Sequence, residues 1–203
     1  MTGSTPSGQI VVLNGAPRSG KSSIAASIQE RFDGLWMTLG VDVARAMTPP
    51  RYQPGIGLRP GEGAHQATRV VPVLFAALYD SVAAHSRLGL NVVVDVGHHD
   101  VGILSDCARR LAGLPVLFVG VRCSTEIIME RRNASEAGRY VTASAGEPIP
   151  LPVLRWQQEV HAHGVYDLAV DTSLASPEQC ADAIQRLLIT GPAPSAFEQL
   201  AAR

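Results

Sequence analysis

Lysine is almost missing from this chain. Of 17 basic side chains, Lys21 is the single lysine and the rest are arginine. The basic residues are balanced by 18 acidic ones, for a net charge of −1. That balance leaves no electrostatic footprint for nucleic acid or an anionic membrane. Cysteine is scarce too. Cys107, Cys123 and Cys180 are odd in number and far apart, which argues against a disulfide framework or a cysteine zinc site and suits reduced thiols in a cytoplasm. No apolar run reaches the roughly 18–20 residues of a membrane span. Met1 to Gly8 lacks the charged and apolar regions of a signal peptide. No internal repeat is present. With 203 residues, 46% of them hydrophobic, the chain can bury a core as one domain over residues 9–190. Residues 1–8 are expected to be disordered, and 191–203 to form a peripheral tail with a brief helix.

What is present starts at the lone lysine. Gly15-Ala16-Pro17-Arg18-Ser19-Gly20-Lys21-Ser22 fits the phosphate-loop pattern G-x-x-x-x-G-K-[ST]. A compact ammonium on a flexible stem suits the gap between two phosphates, where the wide planar guanidinium does not. The flanking pattern agrees. Gln9 to Asn14 is a short apolar run that reads as a buried strand. Ser22 to Phe32 places Ile24, Ala25 and Ile28 at helical spacing. Backbone N–H groups of residues 15–23, through Ser23 in the first helical turn, would then converge on an anion. The Ser22 hydroxyl is placed to ligate magnesium.

Four further apolar runs read as strands covered on both faces: 36–41, 91–95, 115–121 and 166–170. Helical patterns separate them at 67–87, 101–111, 125–136 and 154–163. Ser176 and Pro177 start the last long helix as cap and first-turn residue. This alternation predicts an α/β fold, a doubly wound five-stranded parallel sheet of the P-loop nucleoside triphosphate hydrolase/kinase type with a small lid. Thr48 to Gly63, with four prolines and four glycines, is neither helix nor central strand. It is expected over the carboxyl edge of the sheet, where ligands bind in this architecture.

Several polar positions fall at that edge. Asp95 ends a strand of valines and reads either as the second magnesium partner or as an acid capping the next turn. Asp42 directly follows the second strand. It reads as a group that takes or orients a hydroxyl proton, or as a cap for a helix over 43–47. Arg131, Arg132 and Arg139 flank a polar stretch. They read as lid cations that neutralise a transferring phosphoryl group, or as a solvated helix face. Arg139, after the hinge candidate Gly138, is the favoured contact. Arg18 is placed to cover the nucleotide. His98-His99-Asp100 lacks the spacing of helical zinc ligands, so substrate contact or loop polarity is expected there. His161 and His163 read as packed or solvated histidines, Trp156 and Trp36 as core residues.

Taken in order, these pieces resemble the chloramphenicol phosphotransferase-like proteins of the P-loop kinase class. The resemblance rests on Leu13-Asn14-Gly15, Gly40-Val41-Asp42 followed by Met47-Thr48-Pro49, Gly120-Val121-Arg122-Cys123, His161 five residues before Tyr166-Asp167, and Val170-Asp171-Thr172. It implies ATP-dependent phosphorylation of a hydroxyl on a small molecule, with ATP and Mg2+ as cofactors. The acceptor would be an antibiotic or, alternatively, a nucleoside or other metabolite. It assigns Asp42 as base, Asp171 and Thr172 to the neighbourhood of the adenine, and Arg131 and Arg139 to the lid. The chain departs from the family at Ser135, where a central lid arginine is expected, and at Val96, where a second acid is expected. No nucleic-acid or membrane partner is implied, and a homo-oligomer is compatible with the sequence. A GTP-binding switch is excluded, because an Asn-Lys-x-Asp guanine reader needs a second lysine. A regulatory ATP binder without catalysis would have no use for an acid at position 42.

Overall fold

The computed structural model describes residues 6–49, 52, 64–134 and 149–203, with the backbone alone at 64–68. Five strands form the sheet: β1 (Ile10–Asn14), β2 (Trp36–Gly40), β3 (Asn91–Val96), β4 (Val116–Arg122) and β5 (Leu168–Asp171). All pairings are parallel, in the order β2-β3-β1-β4-β5. The helices are α1 (Lys21–Arg31), α2 (Val41–Ala46), α3 (Ala64–Arg87), α4 (Val101–Arg110), α5 (Thr125–Asn133), α6 (Leu151–Glu159), α7 (Pro177–Thr190) and α8 (Ala196–Ala201). None of the described helices is long and apolar enough to cross a membrane.

The continuous apolar strands follow from burial on two faces. In β1, Ile10 and Val12 join Val92, Val94, Val116 and Phe118 under α3, α4 and α8. Val11 and Leu13 point the other way, with Val93, Leu117 and Val119, onto α1 and α7. Strand order reverses on either side of β1, and ligand crevices in such sheets open at the carboxyl ends beside that switch point. The register brings the right residues there. Leu13 lies opposite Asp95, Gly40 opposite Asp95 on its other side, and Asn14 opposite Gly120. A Cβ on Gly40 would overlap the Asp95 carbonyl oxygen, so only glycine lets β2 approach this closely.

Local sequence accounts for the helix ends. Ser176 and Gln179 form a reciprocal capping box, with Pro177 at the first helical position of α7. Asp100 accepts from the Ile103 N–H and Ser124 from the Ile127 N–H, starting α4 and α5.

Five sequence expectations change. Val41 is helical, because α2 begins immediately after Gly40. α5 ends at Asn133; residues 135–148, including Ser135 and Arg139, lie outside the described residues. α6 starts at Leu151 behind Pro150 and stops at Glu159, so His161 and His163 sit in the turns beyond it. Gly8 is anchored, its N–H on the Ser86 carbonyl at 2.8 Å and its carbonyl on the Ser86 hydroxyl at 2.6 Å, whereas residues 1–5 are outside the described set. The tail is not peripheral. Asp167 accepts from the Ser195 and Ala196 N–H groups, and α8 buries Phe197 and Leu200 against Phe118 and Tyr79. Proline interruptions at 192 and 194 hide from the sequence that the next turn has an apolar face. Of the 48–63 segment, only Thr48, Pro49 and Tyr52 are described.

Candidate functional site

The loop between β1 and α1 closes through a few specific bonds. The Gly15 N–H reaches the Val96 carbonyl at 3.3 Å, and the Ser19 N–H the Ala16 carbonyl at 3.1 Å. Two residues have left-handed backbone: Arg18 at φ 68° and Gly20 at φ 95°. Glycine takes that conformation without strain, and it lets the chain turn directly into α1. Lys21 and Ser22 open the helix, so their N–H groups have no carbonyl one turn back and face the loop mouth. Ser22 and Ser23 are exposed there; Ala16 and Ser19 are buried.

Lys21 is only 9% exposed. Its Nζ donates to the Ala16 carbonyl at 3.0 Å and lies 3.6 Å from Asp95 Oδ1. The other Asp95 oxygen accepts from the Ser22 hydroxyl at 2.6 Å. An ammonium, a hydroxyl and a carboxylate thus meet in one corner. Asp95 points at the loop and does not cap the following turn; Asp100 takes that role. Ser22 and Asp95 are hard oxygen donors, few in number, side by side. That donor set fits magnesium, which keeps waters and takes phosphate oxygens and so needs few protein ligands.

A second set of bonds supports the loop from behind. The Thr172 hydroxyl, at the end of β5, donates to the Ser19 carbonyl at 2.6 Å. Arg131 Nη1 approaches the Thr172 hydroxyl at 3.1 Å and the Arg18 carbonyl at 3.2 Å, and Nη2 donates to the Thr172 carbonyl at 3.0 Å. The resemblance cast Arg131 as a lid arginine; here its guanidinium braces the loop and β5. Asp171 Oδ1 accepts from the Ser173 N–H at 2.8 Å and so serves a turn. Arg18 and the buried Arg132 share a small hollow with Ala16, Pro17, Ile128, Val153 and Trp156. Trp156 is half-buried at the loop's rim, packed against the small apolar cluster of Ala16, Cys123, Ile128, Val153 and Val160, and the exposed His99 stands edge-on to it with ring centres 4.7 Å apart.

Asp42 lies in the first turn of α2, two residues past Gly40, at the same sheet edge as Asp95. It is exposed. Gly40, not Asp42, occupies the cap position. No hydrogen bond or ion pair engages the Asp42 carboxylate among the described residues.

Sequence reasoning missed the polar core beneath this edge. Asn14, fully buried, accepts the His98 N–H on Oδ1 at 2.7 Å. Its Nδ2 donates to the Val160 carbonyl at 3.0 Å and the Tyr166 hydroxyl at 2.9 Å. His98 is buried against Tyr79, with Nε2 2.8 Å from that hydroxyl, and is not loop polarity. Burial, then the fields of His163 and His99, pushes His98 down to about 3. Burial, then Arg122, His163 and Lys21, pushes His161 down to about 4. Burial pushes the Tyr166 hydroxyl up to about 12. The signal available was a polar Asn14 closing an otherwise apolar strand, which needs partners wherever it is buried.

The chain matches known proteins along most of its length. The profile of the family described as "Chloramphenicol phosphotransferase-like protein" matches residues 8–188. Two curated Mycobacterium tuberculosis sequences, from strains CDC 1551 and H37Rv, are each named a putative O-phosphotransferase. Each is 26% identical over 212 positions, covering 98% of this chain and 90% of the relative. Among solved structures, a sugar kinase from Janibacter sp. HTCC2649 superposes with a TM-score of 0.61 at 18% identity, covering 91% of this chain and 96% of the kinase. The tunicamycin resistance protein of Deinococcus radiodurans gives 0.59 at 18% identity, covering 90% and 96%. Shikimate kinase from Acinetobacter baumannii gives 0.57 at 12% identity, covering 92% and 95%. At these identities the structural likeness speaks for the fold.

Proposed function

The chain belongs to the chloramphenicol phosphotransferase-like family, and from that premise we propose that it transfers the terminal phosphoryl group of ATP to a hydroxyl of a small molecule. The observation that carries the reading is the corner of Lys21, Ser22 and Asp95. A buried ammonium held between a carbonyl and a carboxylate, beside the unpaired N–H groups of a helix start, has the chemistry of a phosphate cradle.

In the proposed reaction the acceptor oxygen forms a bond to the γ-phosphorus, and the bond from that phosphorus to the β–γ bridging oxygen breaks. ADP leaves with the electron pair. The hydroxyl proton passes to the Asp42 carboxylate and then to solvent, giving a phosphate monoester. Phosphoryl transfer has a loose transition state, so Asp42 contributes more by orienting the hydroxyl than by early deprotonation. Lys21 neutralises charge on the phosphates. Magnesium, held by Ser22 and Asp95 together with the nucleotide, would supply charge neutralisation across the phosphate oxygens. The loop of residues 15–23 cradles the triphosphate, chiefly through the N–H groups of Lys21 and Ser22 at the helix start, and Thr172 and Arg131 hold that loop in shape. Arg139 is proposed as the lid cation over the transferring group.

The acceptor we favour is a metabolite alcohol, nucleosides and sugars included. A kinase named for sugars and one named for shikimate share this fold over more than nine-tenths of each chain. An antibiotic hydroxyl is the second reading, favoured by the family name and by the tunicamycin resistance neighbour. The test is a panel of nucleosides, sugars and antibiotic alcohols incubated with magnesium ATP and read by mass spectrometry. One compound gaining a phosphoryl group while ADP appears in equal amount supports the proposal. Tight ATP binding with no alcohol phosphorylated would overturn it in favour of a regulatory binder.

A further inference from the structure

Asn14 is the last residue of β1, immediately before the phosphate loop. Its one carboxamide touches three separate parts of the chain: the turn after β3 through the His98 N–H, the Val160 carbonyl beyond α6, and the Tyr166 hydroxyl before β5. The His98 N–H fixes which way the amide faces, because only Oδ1 accepts.

From there the direction of each bond follows by elimination. Asn14 Nδ2 has two hydrogens, and they go to its two nearer partners, the Val160 carbonyl and the Tyr166 oxygen, while His163 Nε2 lies farther off at 3.3 Å. His163 Nδ1 accepts from the Val165 N–H at 3.2 Å. Burial, reinforced by Arg203, pushes His163 down to about 4, so the ring is neutral near pH 7 and its hydrogen is on Nε2. That nitrogen is 3.1 Å from the Tyr166 oxygen and donates to it. Both acceptor positions of the Tyr166 oxygen are then filled, by Asn14 and by His163. Its one hydrogen goes to the nearest acceptor left, His161 Nδ1 at 2.7 Å. His161 therefore carries its own hydrogen on Nε2. That buried atom has no hydrogen-bond partner among the described residues, so the chain of bonds ends there, on a ring that feels the field of Lys21.

We propose that Asn14 is a positioning residue that couples the phosphate loop to the turn after β3 at His98, through a one-directional hydrogen-bond chain that fixes His161 as its Nε2–H tautomer. The inference rests on the phosphotransferase reading and deepens it. Transfer needs the nucleotide and the acceptor aligned within a fraction of an ångström, and Asn14 joins the element that opens the phosphate loop to the turn that follows Asp95. It touches neither substrate. Coupling of this kind requires that a change at one end bias the other, which makes it measurable.

The test uses the full chain labelled with nitrogen-15 and titrated with magnesium ADP. In the wild type, the backbone amides of Gly20 and Lys21 shift on binding, and the His98 amide shifts with them. In Asn14→Ser, Gly20 and Lys21 still shift, while the His98 response shrinks by about threefold or more because its acceptor is gone. Tyr166→Phe leaves the Asn14 to His98 bond intact and keeps the His98 response. Ring nitrogen shifts of wild-type His161 report the Nε2–H tautomer. A His98 amide that responds equally in wild type and Asn14→Ser overturns the coupling, and a wild-type His161 with its hydrogen on Nδ1 overturns the bond directions. Silence at Gly20 and Lys21 would instead mark failure of the nucleotide-binding reading and take the coupling with it. Silence at His98 alone in a protein that binds ADP marks failure of the inference.

Discussion

The corner holding Lys21 and the helix carrying Asp42 share one sheet edge but are built to different standards. Lys21 is buried, bonded to the Ala16 carbonyl and near a carboxylate that also holds Ser22, on a loop clamped from behind by Thr172 and Arg131. Asp42 is exposed on a six-residue helix that buries none of its side chains. A triphosphate presents the same charges in every turnover, so a rigid cradle made in advance lowers the ordering cost at each binding event. An acceptor that completes its own pocket is better met by an element that can adjust. On the proposed reading, the difference teaches that the nucleotide half of the site is preorganised, while the acid proposed for the acceptor sits on an element with no buried side chain.

The harshest way to break this contrast is to remove the ammonium. Lys21→Ala is expected to lower kcat/KM for ATP by roughly 10⁴-fold, since it deletes both phosphate attraction and charge neutralisation. Lys21→Arg should not rescue it, because the guanidinium is too wide for a cradle fitted to an ammonium. Steady-state kinetics with the acceptor identified by mass spectrometry gives the comparison. An arginine variant retaining most activity would mean the cradle is looser than its bonds suggest.

On the acceptor side, Asp42→Asn is expected to lower kcat by about 10²–10⁴-fold. Calorimetric affinity for magnesium ADP should be unchanged, and the melting temperature should move by no more than about 2 °C, because an exposed carboxylate with no partner among the described residues contributes little to stability. A variant with lower melting temperature and normal kcat would make Asp42 a helix-start acid and nothing more.

This asymmetry also decides what was legible in the chain. The cradle is local. Gly15, Gly20, Lys21 and Ser22 fall within one turn of strand and helix, so spacing alone reveals them, and Asp95 declares itself as an acid ending three valines. The clamp is not local. Thr172 meets Ser19 across 153 positions, and that contact exists only once β5 has been placed at the sheet edge beside β4. The same holds for Asn14, whose partners are at 98, 160, 163 and 166. The fold was readable because each strand's apolar run reports burial on two faces. The tail misled because α8 is a short helix behind two prolines, although Ala196, Phe197, Leu200 and Ala201 all pack on the core. Phe197→Ala tests that correction. It should cost about 3–4 kcal/mol in urea unfolding, the usual penalty for emptying an aromatic site in a core, while kcat per folded molecule stays unchanged on both sides of the cleft.

Acid tests the polar core beneath the same edge. Burial, then His163 and His99, holds His98 at about 3, against 6.5 for the free side chain. Between those values the unfolded chain binds a proton that the folded chain refuses. Stability is therefore intact above about pH 6.5 and falls as pH drops through that window. From pH 7 to pH 4 the loss from His98 alone should be on the order of 3 kcal/mol. His161 and His163, both held at about 4, add to it in the same direction. Urea unfolding at the two pH values measures the loss. A flat profile would mean that the turn after β3 opens and hydrates His98 long before global unfolding.

The smallest expected effect is on the clamp itself. Arg131→Ala removes donors to the Thr172 hydroxyl, the Thr172 carbonyl and the Arg18 carbonyl. The loop keeps its Thr172 to Ser19 bond, so the cradle loosens without collapsing. The expected result is an increase of roughly tenfold in KM for ATP with kcat nearly preserved, about the contribution of one or two charge-assisted hydrogen bonds. A phosphoryl-contacting arginine would behave in the opposite way, lowering kcat by about 10²-fold or more at unchanged KM. The KM-against-kcat split thus separates a brace behind the loop from a lid cation over the transferring group, and it decides whether the guanidinium of Arg131 leaves Thr172 when the nucleotide binds.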